Sequence, residues 1–263
     1  MDLGLKGRPA IVSAASRGLG YAVAHELASE GARVVICARS ADAVREARDR
    51  IAAETGAEVR AVVADLATLE GIDAVVRDAE QAFGHVDILV NNTGGPPSGA
   101  FESLPWDKWQ AATDSLLRGT VEMTRRVLPG MRQRKWGRVL NVTSITVKQP
   151  VDGLMLSNSL RAAVTGFART LATEVAQDGV TVNCILPGYT RTERVAQLAA
   201  ATAERERLTV EQVNARTEAQ VPMRRLGEPR EFAALAAFLV SERASYVTGQ
   251  SVAVDGGWIR GLY

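Results

Sequence analysis

The chain has 263 residues, 46% hydrophobic and 23% charged, which is the balance of an ordinary globular protein and enough for one large α/β domain. Its 31 Lys and Arg residues nearly cancel 30 Asp and Glu residues, and a net charge of +1 argues against nucleic-acid binding, which needs a concentrated basic surface. The first residues lack the apolar core of a signal peptide, and the longest apolar run, 233–240, is too short for a bilayer. We therefore expect a soluble cytoplasmic protein that binds no membrane.

Short β-branched runs predict seven buried parallel strands. They lie at residues 9–14, 33–38, 59–64, 86–91, 138–143, 180–186 and 251–254. Apolar residues spaced i, i+3 and i+4 predict the helices between them. These lie at residues 19–30, 41–55, 69–83, 106–133, 160–177 and 229–241. Strand and helix alternate throughout, which predicts a Rossmann-type α/β fold: a doubly wound parallel sheet of about seven strands, with helices on both faces, in one domain spanning 1–263.

Residues 189–226 depart from this alternation, because they are helical, mixed in charge and contain no strand. An insertion before the last strand leaves the sheet at its carboxyl edge, where ligands bind in such folds. We predict that this segment is a helical substrate lid. A pair of helices that only pack against the domain is the alternative.

The first predicted strand leads directly into a glycine-containing turn and a helix. Gly18 and Gly20 would allow the backbone to approach a pyrophosphate held at the helix N-terminus. The order of strand, turn and helix therefore predicts a dinucleotide-binding site. Its candidate contacts in this segment are Ser13, Ser16, Arg17, Gly18, Leu19 and Gly20.

The end of the second strand indicates which dinucleotide binds. This strand ends at Arg39, with no carboxylate at its tip to accept a hydrogen bond from a ribose 2′-hydroxyl. Arg17 and Arg39 are instead placed to bracket a 2′-phosphate, which suits the planar donor fork of guanidinium. Two solvated surface arginines are the alternative. We predict NADP as the cofactor, in preference to NAD.

Further segments recur in a characteristic order along nearly the whole chain. They are Ala14-x-x-x-Gly18-x-Gly20, Asp65-Leu66, Asn91-Asn92-Thr93-Gly94, Ser144, Val182-Asn183-x-x-x-Pro187-Gly188, Val247-Thr248-Gly249-Gln250 and Asp255-Gly256-Gly257. In this order and spacing the sequence resembles the short-chain dehydrogenase/reductase family, in particular its β-ketoacyl-carrier-protein-reductase-like branch.

The resemblance implies an oxidoreductase that acts on a carbonyl or alcohol of a small molecule or acyl thioester. It also implies a homo-oligomer, a dimer or tetramer, associated through the helices that start near Trp106 and Leu160. Additional cofactor contacts implied by the resemblance are Asp65, Leu66, Asn92, Gly94, Arg161, Pro187, Gly188 and Thr190. For Asp65, capping of the following helix is an equally good interpretation.

One departure from the family lies in the phosphate loop. Ala14 stands where the family has its first glycine, and a methyl group there either clashes with the nucleotide or requires a different turn.

The larger departure lies in the catalytic residues. The family reduces carbonyls with an Asn, a Ser, a Tyr and a Lys, and the resemblance places Leu116, Ser144, Ser157 and Arg161 at these positions. A serine is a far weaker acid than an activated phenol, and arginine keeps its positive charge but does not release its proton. Among four tyrosines, Tyr189 lies closest to the family's nicotinamide position, and Lys148 is the other candidate proton donor.

The two cysteines, Cys37 and Cys184, each lie in an apolar run without a CxxC motif or a histidine partner. This pattern predicts buried thiols, a reducing compartment and no metal site.

Three hypotheses follow. The first is an NADP-dependent oxidoreductase with a degenerate catalytic tetrad. The second, motivated by the missing Tyr and Asn, is a nucleotide-binding sensor or scaffold without redox catalysis. The third, motivated by Ala14, is an interaction subunit that binds no dinucleotide.

Overall fold

A computed structural model of the chain describes residues 1–262, so Tyr263, one of the four tyrosines, lies outside the described residues. All seven predicted strands are present, and every pair of neighbours in the sheet is parallel. The strands are β1 (Pro9–Val12), β2 (Arg33–Ala38), β3 (Val59–Val63), β4 (Ile88–Asn91), β5 (Gly137–Val142), β6 (Val180–Pro187) and β7 (Ser251–Val254). Their order across the sheet is β3-β2-β1-β4-β5-β6-β7, which confirms the doubly wound fold.

The predicted helices are also present. They are α1 (Gly18–Ser29), α2 (Ala41–Thr55), α3 (Leu69–Phe83), α4 (Trp106–Ala112), α5 (Gly119–Arg134), α6 (Met155–Val175), α7 (Glu193–Glu206), α8 (Val210–Gln220) and α9 (Pro229–Leu239). The single helix predicted over 106–133 is interrupted by a π-helical segment, Thr113–Arg118, between α4 and α5. Helix α6 begins five residues earlier than predicted, because its first residue follows Leu154, which supplies no side-chain cap to mark the start.

The helices cover both faces of the sheet. Buried residues of α1, α2 and α9 form one apolar core with the sheet, and those of α3, α5 and α6 form another. Every residue of β1, β4 and β5 is buried. This explains why the sequences of these strands are continuous apolar runs and do not alternate between apolar and polar residues. Cys37 and Cys184 are buried free thiols, as predicted, and burial raises their pKa values to about 12 and about 11.

The insertion at 189–226 contains α7 and α8, which pack against each other through Ala199, Ala203 and Val213. Each helix begins at a threonine, Thr192 or Thr209, whose side chain accepts a hydrogen bond from the first turn. In the described part of the chain, no helix combines the length and the apolar character needed to cross a membrane.

Gly20, in the first turn of α1, allows this helix to approach the end of β1 closely. A Cβ atom at this position would lie 2.6 Å from Asn92 Nδ2 and 3.0 Å from the carbonyl carbon of Ala14, too close for either atom. The glycine therefore serves the packing of helix against strand.

We expect Gly20→Ala to lower the free energy of unfolding by about 2 kcal/mol, because the added methyl group displaces backbone of the β1–α1 turn. Denaturant unfolding measures this change. Gly94→Ala is the matched control, since a Cβ at Gly94 meets no atom within 4 Å, and its effect should stay within about 0.5 kcal/mol. Equal stability of the two variants would contradict the packing role of Gly20.

Candidate functional site

A cleft of about 1760 Å³ opens at the carboxyl edge of the sheet. Its floor is formed by residues that follow β1, β2, β3, β4, β5 and β6, and residues of α7 and α8 form the opposite wall. The strand order reverses between β1 and β4, and in doubly wound sheets such a switch point opens the crevice in which ligands bind. The insertion thus lies where the lid was predicted, while its movement stays a prediction.

The glycine-containing turn lies at this switch point. Ala14 adopts φ +47°, the left-handed conformation that a glycine would favour, so the chain makes the turn with alanine in place. Gly18 opens α1 with φ +61°, and the N-cap residue Arg17 makes no side-chain capping bond. The first N–H groups of α1 are therefore free to bind an anion.

Two of the predicted cofactor contacts in this turn serve its structure. Ser13 Oγ donates to Asn92 O at 2.7 Å and accepts from Asn92 N at 2.8 Å, and the Asn92 side chain donates to the carbonyls of Ser13 and Ala14. Ser13 and Gly20 do not line the cleft, whereas Ser16, Arg17, Gly18 and Leu19 do. Ser13 and Gly20 thus position the loop, and the expectation that Gly20 faces a pyrophosphate is not supported by its location.

Arg17 and Arg39 both line the cleft, but they differ in their partners. Arg17 Nη1 donates to Glu193 Oε2 at 2.6 Å, an exposed ion pair that joins the glycine turn to the first residue of α7. Arg39 is exposed directly after β2, and no ion pair forms at its side chain within residues 1–262. Arg39 is therefore the arginine that is free to bind a 2′-phosphate, while Arg17 must first release Glu193.

The remaining predicted contacts on this side lie along the cleft: Asp65, Leu66, Asn92 and Gly94. Asp65 Oδ1 accepts from Ala67 N at 3.0 Å, and the cap of α3 is Thr68, so the capping interpretation of Asp65 is wrong. A side chain on Gly94 would extend into open space, which means that the cleft comes close to the backbone here.

Ser144, Ser157 and Arg161 lie together on the wall formed by β5 and α6. Ser144 Oγ accepts from Thr146 N at 3.1 Å, which leaves its O–H to donate into the cleft. Ser157 and Arg161 are one helical turn apart on α6 and both line the cleft, although each is at least nine-tenths buried. Arg161 Nη1 donates to Val142 O at 2.7 Å, at the end of the same strand that Ser144 follows.

The Arg161 guanidinium is buried without a carboxylate partner in the described part of the chain. Burial, with a smaller contribution from Arg194, lowers its pKa to about 10. It is therefore still charged near neutral pH, and a buried charge without a partner is unfavourable unless a ligand satisfies it.

Of the two candidate proton donors, Tyr189 lines the cleft and Lys148 does not. Tyr189 lines the cleft beside Pro187, Gly188 and Thr190, its ring packs edge-on against Trp258 at 5.8 Å, and burial raises the pKa of its hydroxyl. Lys148 is exposed and does not line the cleft, so its position does not support a role in proton transfer.

Leu116, at the position of the family's asparagine, lies within the π-helical segment and is buried among apolar residues. Its neighbours in this cluster are Leu104, Ala112, Leu156 and Leu160. Leu116 has no side-chain amide to hold a water molecule, so its side chain cannot take part in a proton relay.

One charged group of the cleft, Arg194, was not among the predicted site residues. This second residue of α7 is half-buried, donates from Nη2 to Pro96 O at 2.7 Å and lies so close to Gly95 that a Cβ there would be 2.8 Å from its Cζ. A helical spacing of four, three and four residues places Arg194, Leu198, Ala201 and Arg205 on the face of α7 that lines the cleft, and this signal was present in the sequence.

Within residues 1–262, no group of three or more His, Cys, Asp or Glu side chains is arranged to hold a metal ion.

A doubly wound sheet with an uncapped helix N-terminus at its switch point defines the class of dinucleotide-binding α/β proteins. The family model described as enoyl-(acyl carrier protein) reductase matches residues 13–259. The chain belongs to the short-chain dehydrogenase/reductase family, as its motifs predicted.

Its relatives include several reductases and dehydrogenases. A 3-oxoacyl-[acyl-carrier-protein] reductase of Vibrio cholerae is 35% identical over 97% of this chain and 98% of its own. A D-beta-hydroxybutyrate dehydrogenase of Cupriavidus necator is 36% identical over 97% of this chain and 99% of its own. The crystal structure of L-sorbose reductase from Gluconobacter frateurii, complexed with NADPH and L-sorbose, has a TM-score of 0.94 and 36% identity, and each chain is covered over its full length.

Proposed function

We propose that the protein is an NADP-dependent oxidoreductase that interconverts a carbonyl and an alcohol on a small molecule, with 3-oxoacyl thioesters among the candidates. One observation carries the proposal: a single cleft joins the uncapped N-terminus of α1 to Ser144 and Arg161. The similarity to a 3-oxoacyl-[acyl-carrier-protein] reductase and to an L-sorbose reductase complexed with NADPH supports the reaction class and the cofactor.

The residues of the cleft fit NADP, a dinucleotide with a pyrophosphate and an additional 2′-phosphate. Free N–H groups at the start of α1 suit the pyrophosphate, and the open space over Gly94 leaves room for the rest of the molecule. Arg39 would hold the 2′-phosphate, since its guanidinium has no competing carboxylate in the described residues. Arg161 would donate to the nicotinamide ribose or to the substrate.

When bound, the dinucleotide supplies or accepts a hydride. Ser144 O–H and the Arg161 guanidinium donate hydrogen bonds toward a carbonyl oxygen on the β5–α6 wall, and the positive charge stabilises negative charge that develops there. Arg161 does not release its own proton near neutral pH. A phenol is protonated near neutral pH and burial raises the pKa of Tyr189 further, so its hydroxyl would donate the proton that the alkoxide takes up after hydride transfer.

We expect the protein to bind NADPH at least about tenfold more tightly than NADH, because Arg39 forms charge-assisted bonds to the 2′-phosphate. In Arg39→Leu this preference should fall to near unity. Calorimetric titration with each nucleotide measures both affinities, and Arg45→Leu, an exposed arginine of α2 outside the cleft, is the matched control.

Equal affinity of the wild type for both nucleotides would remove the role of Arg39. Binding of neither nucleotide would remove the proposed function itself and leave the interaction subunit as the remaining hypothesis.

A nucleotide-binding sensor or scaffold is the second candidate, and Leu116 is the observation that favours it. An apolar cluster occupies the position where the family places its asparagine, and Ser157 replaces the phenol. Turnover of a carbonyl compound coupled to NADPH oxidation would exclude this candidate.

We also propose association into a homo-oligomer, through α6. The leucines and valines of this helix are buried against the rest of the chain, and its exposed face carries Ala162, Ala163 and Gly166. Such small residues allow another helix to approach closely, whereas the exposed side of α5 carries Arg125 and Arg132. Of the two helices predicted to form the interface, this difference favours α6, and it does not determine the number of subunits.

A further inference from the structure

Two guanidinium groups, Arg161 and Arg194, line the cleft without a carboxylate partner in the described residues. Arg161 projects from α6 and is bonded at the end of β5, whereas Arg194 projects from α7 and is bonded in the segment that follows the neighbouring strand β4. Their hydrogen bonds go to main-chain carbonyls, those of Val142 and Pro96, and within residues 1–262 neither forms an ion pair.

Other arginines on or near α7 and α8 do form ion pairs with carboxylates. Arg205 and Arg216 both pair with Glu206, at 2.9 and 2.6 Å, and Arg17 pairs with Glu193. Arg17, Arg205 and Arg216 thus each have a carboxylate partner, while Arg161 and Arg194 have none in the described residues. Like charges that approach each other in a partly desolvated cleft are unfavourable, unless an anion lies between them.

The start of α6 adds to this positive field. The helix begins at the cleft with Leu154 as its N-cap and without a side-chain capping bond, and Ser157 in its first turn lines the cleft. The N–H groups of a helix start carry partial positive charge and favour an anion nearby.

The phosphates of a dinucleotide do not account for this field. They are expected at α1, next to β1, whereas Arg161 is bonded to the end of β5, two strands away, or about 10 Å across the sheet. A dinucleotide whose phosphates lie at α1 would reach β5 with its nicotinamide end, whose ring is positively charged in the oxidised form. The missing negative charge must therefore come from the second ligand.

We propose that the substrate is an anion, an oxo or hydroxy acid whose carboxylate binds between Arg161 and Arg194. The proposal rests on the oxidoreductase function proposed above and names the substrate class of that site. The carboxylate accepts hydrogen bonds from both guanidinium groups, which orients the carbonyl carbon in the cleft. Binding of the acid also removes the repulsion between the two arginines.

The test compares acids with neutral molecules of the same shape. The full-length protein, saturated with NADP⁺ so that no ketone is reduced, is titrated calorimetrically with pyruvate, acetoacetate and levulinate and with the amide of each. We expect at least one acid to bind at least tenfold more tightly than its amide. Equal affinities within all three pairs, or no binding by any acid, would overturn the proposal.

Variants on one helix then locate the site. Arg194→Gln should weaken the preferred acid at least tenfold, Arg194→Lys should retain most of the affinity, and Arg205→Gln is the matched control because Arg205 lies on the same helix and is already paired. An equal loss in Arg205→Gln would mean that only the overall charge of the cleft matters, and it would overturn the assignment.

The same variants test whether Arg194 binds the carboxylate of the substrate or the phosphates of the cofactor. We expect NADPH affinity to change less than twofold in Arg194→Gln, and a loss as large as that for the acid would assign Arg194 to the cofactor instead. Initial rates of NADPH oxidation, measured with the same acids and with neutral ketones, distinguish this proposal from the proposed reaction. If an acid binds selectively but is not turned over, the proposed anion site is supported and the proposed reaction is contradicted. If neutral ketones are turned over without any preference for a carboxylate, only the proposed anion site is contradicted.

Discussion

Replacement of Ser157 by tyrosine together with Arg161→Lys is expected to raise kcat for NADPH-dependent ketone reduction about a hundredfold. The two positions are one turn apart on α6 and line the cleft beside Ser144, so a phenol and an ammonium group placed there would share one wall. The lysine lowers the pKa of the phenol, which then protonates the alkoxide that hydride transfer generates. Ser157 lines the cleft, so a larger side chain at this position would extend into it.

The measurement is the initial rate of NADPH oxidation with levulinate and with a neutral ketone. Ser157→Phe combined with Arg161→Lys is the matched control, because it adds the same ring without the hydroxyl and should show no increase. A double variant no faster than the wild type would indicate that proton transfer does not limit the native reaction, and that the native donor lies elsewhere in the cleft.

The second large effect concerns stability. We expect Arg161→Met to raise the free energy of unfolding of the ligand-free protein by about 2 kcal/mol, because methionine fills a similar volume without burying an unpaired charge. The same change should lower carbonyl reduction at least tenfold, since the cleft loses its innermost cation. Denaturant unfolding and initial rates measure the two effects, and Arg161→Lys, which keeps the charge, should show no gain in stability.

The pH dependence of this gain has a definite sign. The pKa of Arg161 in the folded protein, about 10, lies below its ordinary value, so above pH 10 the unfolded chain holds the proton more tightly. The penalty of burial is therefore fully present below pH 10 and fades as the pH rises through that value. The stability gain of Arg161→Met should consequently be the same at pH 6 and at pH 9. A loss of stability in this variant would show that the hydrogen bond to Val142 outweighs the buried charge.

The fold was predictable from the sequence because its determinants are local. Buried parallel strands require unbroken apolar runs, and the strands flanking the switch point are buried at every residue. Helix bounds were predictable where a cap is present, as at Ser40 and Gly56 of α2. The start of α6 has no such signal, and the π-helical segment 113–118 has none either.

The candidate site was only partly predictable, because its geometry depends on contacts between distant segments. Ser144, Ser157 and Arg161 were placed by spacing within one segment of the chain, and they do share a wall of the cleft. Arg17 pairs with Glu193, which lies 176 positions further along the chain, and no residue of the glycine-containing turn indicates this contact. The role of Arg194 depends in the same way on Pro96, 98 positions earlier.

The strand order has a consequence for how the protein becomes competent to bind. The phosphate-binding turn follows β1, but the wall that carries Arg161 rests on β5 and the segment with Arg194 follows β6, so the cleft needs strands from both halves of the chain. During synthesis on the ribosome, the first half emerges with its nucleotide-binding turn complete and its substrate wall absent. Pairing of parallel strands over long sequence separations is slow, and the cleft is complete only when strands from both halves have paired. Ligands that span it would therefore bind only to chains that have completed folding.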